Sequence, residues 1–300
     1  AMKKLFLLLA LLFTHIATVA QIDSELLRKA EQGDAEAQFR IGSSYSNGEG
    51  VQQDYKQAVY WFKKAADLGH VTAQFNLGAC YLNGWGAQQN YEQAVYWNRK
   101  AAEQGLAMAQ YNLGLFYYNG EGVQQDYKQA AFWYKKAAEQ GLAEAQCDLG
   151  YCYKKGLGVE QNYAQAVSLY KKAAEQGDAL AQFYLGTCYY KGEGVQQNYA
   201  QAVLWFRKAA KQGHINSQTN LGVCYKKGIG VQQDSKQAVL WYKKAAEQGG
   251  AAAQLYLGIC YYKGEGVQRD YDMALYWTKK AVLQGKKEAI EFLKKIETEK

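Results

Sequence analysis

The stretch HVTAQFNLGACYLNGWGAQQNYEQAVYWNRKAAEQG, residues 70–105, decides the fold. Its first half sets Ala73, Leu77 and Cys80/Tyr81 at i, i+4 and i+7/i+8, the apolar stripe of one helix face. Its second half does the same with Ala94, Trp97 and Ala101. Asn90 stands where it can cap the second helix, and Gly105 where a C′ glycine closes it. The spacing therefore predicts an antiparallel helix pair, A then B.

The pair recurs. Gly33, Gly69, Gly105, Gly141, Gly177, Gly213, Gly249 and Gly285 fall at a constant interval of 36 residues. Gly42, Gly78, Gly114, Gly150, Gly186, Gly222 and Gly258 keep the same step, as do the pairs from Gly48/Gly50 to Gly264/Gly266. Seven units follow without insertion: 34–69, 70–105, 106–141, 142–177, 178–213, 214–249 and 250–285. A leading B-like helix is expected over 22–32. A trailing helix is expected over 286–299, KKEAIEFLKKIETE, charged as a solvent-facing cap must be. One helix pair cannot bury its apolar face alone, whereas stacked pairs can. The chain is thus expected to be all-α, a single solenoid domain over 21–300. Gly78 and its equivalents lie inside helix A, where glycine costs roughly 1 kcal/mol. That cost is tolerable if helix B passes very close, with Ala94 and its equivalents as the facing contact.

Residues 1–20 stand apart. Lys3 and Lys4 precede the apolar run Leu5–Phe13, and the segment ends Ala17-Thr18-Val19-Ala20. This has the shape of a signal peptide, too short for a membrane span. An exported protein, periplasmic or secreted, is expected, without an integral membrane segment after cleavage. Loss of Lys3 and Lys4 would lower the formal charge from +7 to +5. That mild excess permits acidic partners without implying nucleic-acid binding, which export disfavours.

Catalytic signals are thin. NGEGVQQDYKQA, at 47–58 and again at 119–130, has the glycines of a phosphate-binding loop. It follows a helix, however, and lacks the Lys-Ser/Thr that such a loop requires. His15 belongs to the leader. His70 and His214 lie four repeats apart, too far to share a metal or a proton. No CxxC, HExxH or Cys/His cluster occurs, so no metal, cofactor or catalytic residue is assigned. Gln38, Gln74, Gln110, Gln146, Gln182, Gln218 and Gln254 are invariant between units, which argues for a structural hydrogen bond.

AQFNLGACYLNGWGAQQNYEQAVYWNRKAAEQG resembles the Sel-one-like repeat (SLR), a branch of the tetratricopeptide superfamily. The resemblance rests on Ala73, Leu77, Gly78, Tyr81, Gly84, Gly86, Ala94, Trp97, Ala101, Ala102 and Gly105, and it extends over about residues 34–285. It implies a right-handed α/α superhelix whose A helices line a concave face. It also implies an adaptor, without a fixed catalytic site, that holds a protein or peptide; a monomer is expected. The cysteine-rich bacterial branch staples each unit with paired cysteines, and this chain departs from that pattern. Cys80, Cys152, Cys188, Cys224 and Cys260 share one phase of helix A, and Cys147 is out of phase. Stacked helices lie roughly 9–10 Å apart, beyond disulfide reach, so buried thiols are expected. Some cysteine-rich members are linked with penicillin binding, and Ser168-Leu169-Tyr170-Lys171 matches an SxxK motif. Its SDN and KTG partners are missing, so a β-lactam-binding or hydrolysing enzyme is the alternative rather than the choice.

Binding is expected where units differ on the exposed side of helix A. One ladder is Arg40, Asn76, Asn112, Asp148, Tyr184, Asn220 and Tyr256. A second is Ser43, Ala79, Leu115, Tyr151, Thr187, Val223 and Ile259. A third is Ser46, Leu82, Tyr118, Lys154, Tyr190, Lys226 and Tyr262. The fourth is Asn47, Asn83, Asn119, Lys155, Lys191, Lys227 and Lys263. By the resemblance, Asn76, Asn112 and Asn220 would pair with a peptide backbone. The candidate site gathers these three with Tyr118, Tyr151, Lys154, Lys155, Tyr184, Tyr190, Lys191, Lys226, Lys227, Tyr256, Tyr262 and Lys263. The turn from Asn to Lys, with Tyr interleaved, suits an extended segment with acidic character.

Overall fold

A computed structural model describes residues 22–298. The leader expected over 1–20 lies outside the described residues. The chain divides between Gln140 and Gly141 into two compact units.

The described part of the first unit holds α1 (Ser24–Glu31), α2 (Ala35–Asn47), α3 (Tyr55–Asp67), α4 (Val71–Asn83), α5 (Tyr91–Glu103), α6 (Ala107–Asn119) and α7 (Tyr127–Glu139). The second holds α8 (Ala143–Lys155), α9 (Tyr163–Glu175), α10 (Ala179–Lys191), α11 (Tyr199–Lys211), α12 (Ile215–Lys227), α13 (Ser235–Glu247), α14 (Ala251–Lys263), α15 (Tyr271–Leu283) and α16 (Lys287–Thr298). Consecutive helices within each unit pack on one another, and the described residues contain no strand. Each unit is an α/α solenoid of stacked helix pairs.

The turn between A and B is built from its own sequence. Gly84 ends α4 in the left-handed region at φ 72°, donating to the Cys80 carbonyl, and Trp85 donates to the same oxygen. Asn90 then donates its backbone N–H to the Tyr81 carbonyl, and its side chain accepts from Gln93 N–H at 2.9 Å. Gln89 Nε2 reaches back to the Leu82 carbonyl at 2.8 Å. These bonds satisfy groups that a helix end leaves orphaned. His70 and His214 prove to be N-caps: their Nδ1 atoms accept from Ala73 and Ser217 N–H.

Helix A accepts helix B closely, though chiefly through a residue that the spacing argument passed over. A Cβ added to Gly114 would lie 3.3 Å from the Ala130 carbonyl but only 2.5 Å from Tyr134 Cδ1. The same place holds Phe62, Asn98, Tyr170, Phe206, Tyr242 and Thr278 in the other repeats. Five of the seven are aromatic, so the missing Cβ makes room for a ring whose burial contributes roughly 1.5–3 kcal/mol.

The invariant glutamines find their partners here. Gln74 Nε2 donates to the Ala66 carbonyl of the preceding B helix at 3.1 Å, and its Oε1 accepts from Gln104 Nε2 at 2.8 Å. Gln110 and Gln140 repeat this arrangement in the first unit, as do Gln182 and Gln212 in the second. Each relay ties three helices through charge-free bonds, the glutamine-to-carbonyl bond buried and the glutamine-to-glutamine bond partly buried. The first repeat breaks it: Leu68 stands where Gln104 stands, and Gln38 Oε1 is buried without a hydrogen-bond partner.

All six cysteines are buried and free. Burial pushes the Cys80, Cys188 and Cys224 thiols up to about 11, far from thiolate chemistry at neutral pH.

Candidate functional site

The four ladders meet in the second unit. A cavity of about 300 Å³ is lined by Thr187, Tyr190 and Lys191 of α10, Asn220 and Val223 of α12, and Tyr256 of α14. Phe206 of α11 completes it. Thr187 and Val223 share the second ladder, Asn220 and Tyr256 the first; Tyr190 and Lys191 stand on the third and fourth. Sequence spacing put these residues on one face, and the stacking of three successive A helices brings them together. Phe206 belongs to a B helix and was missed. The signal for it was its place twenty residues after Gly186, where a ring packs against the glycine.

The chemistry of this cavity is amphipathic. Val223 and the rings of Tyr190 and Tyr256 give it apolar surface, and Phe206, only 1% exposed, backs them from the core. Tyr190 stands edge-on to Tyr199, with ring centroids 5.3 Å apart. Burial raises the Tyr190 phenol above its usual range, helped by Cys224 and Tyr199, so it stays protonated and able to donate. The Thr187 hydroxyl is committed to the Phe183 carbonyl at 2.9 Å. No nucleophile with an adjacent base lines the cavity. The arrangement can hold an apolar side chain and an anion, with amide and phenol groups at hand for hydrogen bonds.

The other predicted residues fall into different circumstances. Lys154, only 14% exposed, pairs with Glu193 at 3.1 Å, and Lys191 approaches the same carboxylate at 3.5 Å. Lys226 pairs with Glu265 at 2.8 Å, and Lys263 lies 3.8 Å from it. Burial raises the Glu193 carboxyl, but the hydrogen bond and charge of Lys154, then Lys191, outweigh it and hold the group below its ordinary value. The hydrogen bond from Lys226 does the same for Glu265. Four of the ladder lysines are therefore partly neutralised by two glutamates that the ladders did not include. Lys155 and Lys227 are exposed and have no carboxylate partner among the described residues. Lys155 lies over the Tyr151 ring at 6.0 Å.

Tyr151 and Tyr184 pack together, with ring centroids 5.9 Å apart. Tyr262 was expected to face a ligand, but it is 7% exposed and packs against Phe292 and Ile296 of α16. That helix is charged outside and apolar inside, so it covers the tyrosine rather than merely ending the stack. In the first unit, the Asn112 amide donates to Asn98 Oδ1 at 3.3 Å. Tyr118 lies edge-on to Tyr127, and Asn76 is half-buried on α4. Ser168 is exposed on α9, and Lys171 approaches Glu175 at 3.9 Å. The SxxK match therefore stands on an open helix face. No group of three or more potential metal ligands occurs among the described residues.

Tandem helix pairs closed by paired glycines define an α/α repeat protein. The Sel1 repeat model matches seven times, at residues 35–70, 71–106, 107–142, 143–178, 179–214, 215–250 and 251–286, and the chain belongs to the Sel1 repeat family. A solved protective antigen of uropathogenic Escherichia coli with an SLR fold is 40% identical over 90% of this chain, with a TM-score of 0.83. The chain spans 58% of that antigen's length. A Sel1 repeat protein from Oxalobacter formigenes is 36% identical, over 90% of this chain and 78% of its own, with a TM-score of 0.76. No curated protein sequence matches significantly. Sel1 repeat proteins are in general protein-interaction scaffolds. No described helix is long and apolar enough to cross a membrane.

Proposed function

We propose that this chain is an exported, monomeric scaffold that binds an extended protein segment of acidic character on the A-helix face of its second unit. The observation that carries this is the cavity around Tyr190, Lys191, Asn220 and Tyr256, where all four variable ladders converge. Repeating positions in this fold are filled by packing and capping. The variable positions gather instead around an open, amphipathic hollow beside a basic ladder. An acidic segment suits the lysines, and aromatic walls suit its apolar side chains. Neither a cofactor nor nucleic acid is part of the reading. The β-lactam alternative is disfavoured by Ser168, which sits on an open helix face outside the cavity.

The test is a titration of the whole chain with a fluorescent acidic peptide at two salt concentrations. Saturable binding that weakens with salt is expected, with a loss of about ten-fold or more when Lys155, Lys191 and Lys227 are replaced together by Glu. Affinity indifferent to that triple change would refute the site. Hydrolysis of a chromogenic cephalosporin that disappears in Ser168→Ala would favour the enzyme instead.

A further inference from the structure

The lysine ladder of the second unit has a hidden period of two repeats. The fourth and sixth repeats read Lys154-Lys155-Gly156-Leu157 and Lys226-Lys227-Gly228-Ile229. The fifth and seventh read Tyr190-Lys191-Gly192-Glu193 and Tyr262-Lys263-Gly264-Glu265. The alternation matters because each glutamate serves two lysines. Glu193 takes Lys154 from the repeat before and Lys191 from its own; Glu265 takes Lys226 and Lys263 in the same way. Leu157 and Ile229 offer no carboxylate, which leaves Lys155 and Lys227 uncompensated.

We propose that Lys155 and Lys227 are the two anion-reading positions of the site, and that they set a register on the bound segment. Two carboxylates, about six residues apart, would flank a large apolar side chain seated among Tyr190, Phe206, Val223 and Tyr256. The spacing follows from geometry. Successive A helices stack roughly 10 Å apart, so two repeats span about 20 Å. An extended chain advances about 3.3 Å per residue, so about six residues cover that span. The apolar side chain falls between the two carboxylates, on the Lys227 side, because the cavity takes most of its lining from the fifth and sixth repeats and Tyr256 of the seventh closes it. Lys191 lies within this span, but Glu193 beside it makes it a weaker attraction for a second anion. This inference rests on the acidic-segment reading above and adds its spacing.

The experiment uses the full chain and synthetic peptides with two glutamates around a central phenylalanine, their separation stepped from three to ten residues. Affinity is expected to peak near six and to fall about ten-fold at three and at ten. Lys155→Gln and Lys227→Gln, both at exposed positions, should each weaken the best peptide about five-fold, whereas Lys263→Gln should leave it unchanged. Glu193→Gln should release Lys191 and raise affinity for the peptide with three-residue separation. Salt-sensitive binding that is equal at all separations would overturn the register while leaving the acidic-segment site standing. Absence of binding by every peptide would overturn both. Equal loss with Lys263→Gln would show that the glutamate pairs do not divide the ladder.

Discussion

Leu68→Gln should stabilise the first unit. Gln38 is 4% exposed, its Nε2 donates to the Ala30 carbonyl at 2.9 Å, and its Oε1 has no partner. In the next repeat the matching oxygen accepts from Gln104 at 2.8 Å, and in the one after from Gln140 at 2.8 Å. Leu68 occupies the donor's place and is 58% exposed, so its removal forfeits little apolar burial. The new amide would satisfy a buried acceptor, which contributes about 1 kcal/mol net and up to about 3 kcal/mol where the acceptor had been fully orphaned. The expected gain is about 1–2 kcal/mol, or roughly 4 °C in the melting of that unit. Gln140→Leu should do the reverse, orphaning Gln110 Oε1 at a cost of about 1–3 kcal/mol. Leu68→Met, which has the bulk but no N–H, should be silent. Thermal and urea melts give the magnitudes, and native-state hydrogen exchange in α2 and α3 localises them. If Leu68→Gln is silent or destabilising and Gln140→Leu costs nothing, the relay does not hold the repeats together.

The remaining predictions concern packing, backbone and pH. Tyr170 Oη is buried without a partner where two other repeats have Phe62 and Phe206, so Tyr170→Phe should be neutral or stabilising by about 1 kcal/mol in a urea melt. Gly194 has φ 70°, and an added Cβ would collide with the Tyr163 carbonyl; Gly194→Ala should cost roughly 3 kcal/mol, against about 1 kcal/mol for Gly177→Ala, where nothing lies within 4 Å. Burial holds the His214 imidazole below its ordinary 6.5, and its neutral Nδ1 caps α12. Its contribution is therefore fully present above pH 6.5 and is lost as pH falls through the lowered folded value. His214→Asn, which keeps a capping acceptor, should flatten that part of the stability–pH curve.

The fold was legible because it is written seven times. Glycines at a fixed step, capping Asp and Asn residues and paired apolar stripes each make sense locally, and they agree with one another. What stayed hidden depended on contacts between repeats. The Gln74 phase announced a structural bond but not its partner, because Ala66 and Gln104 lie on other helices. Phe206 escaped the ladders because it reaches the cavity from a B helix. Glu193 and Glu265 escaped because they sit in turns read as purely structural, and the spacing of a ladder carries no information on what neutralises it. Tyr262 was assigned to the open face because helix periodicity cannot show that a capping helix lies over the last repeat.

Where the partner touches is the central claim, and photo-crosslinking tests it most directly. An acidic peptide carrying a photoreactive phenylalanine analogue at its centre is crosslinked to the full chain, and the adducts are mapped by mass spectrometry. The account predicts adducts on α10, α12 and α14, around Tyr190, Val223 and Tyr256, competed away by the unlabelled peptide. Adducts confined to the exposed B-helix residues Leu204, Leu240 and Tyr276, or to the first unit, would contradict it.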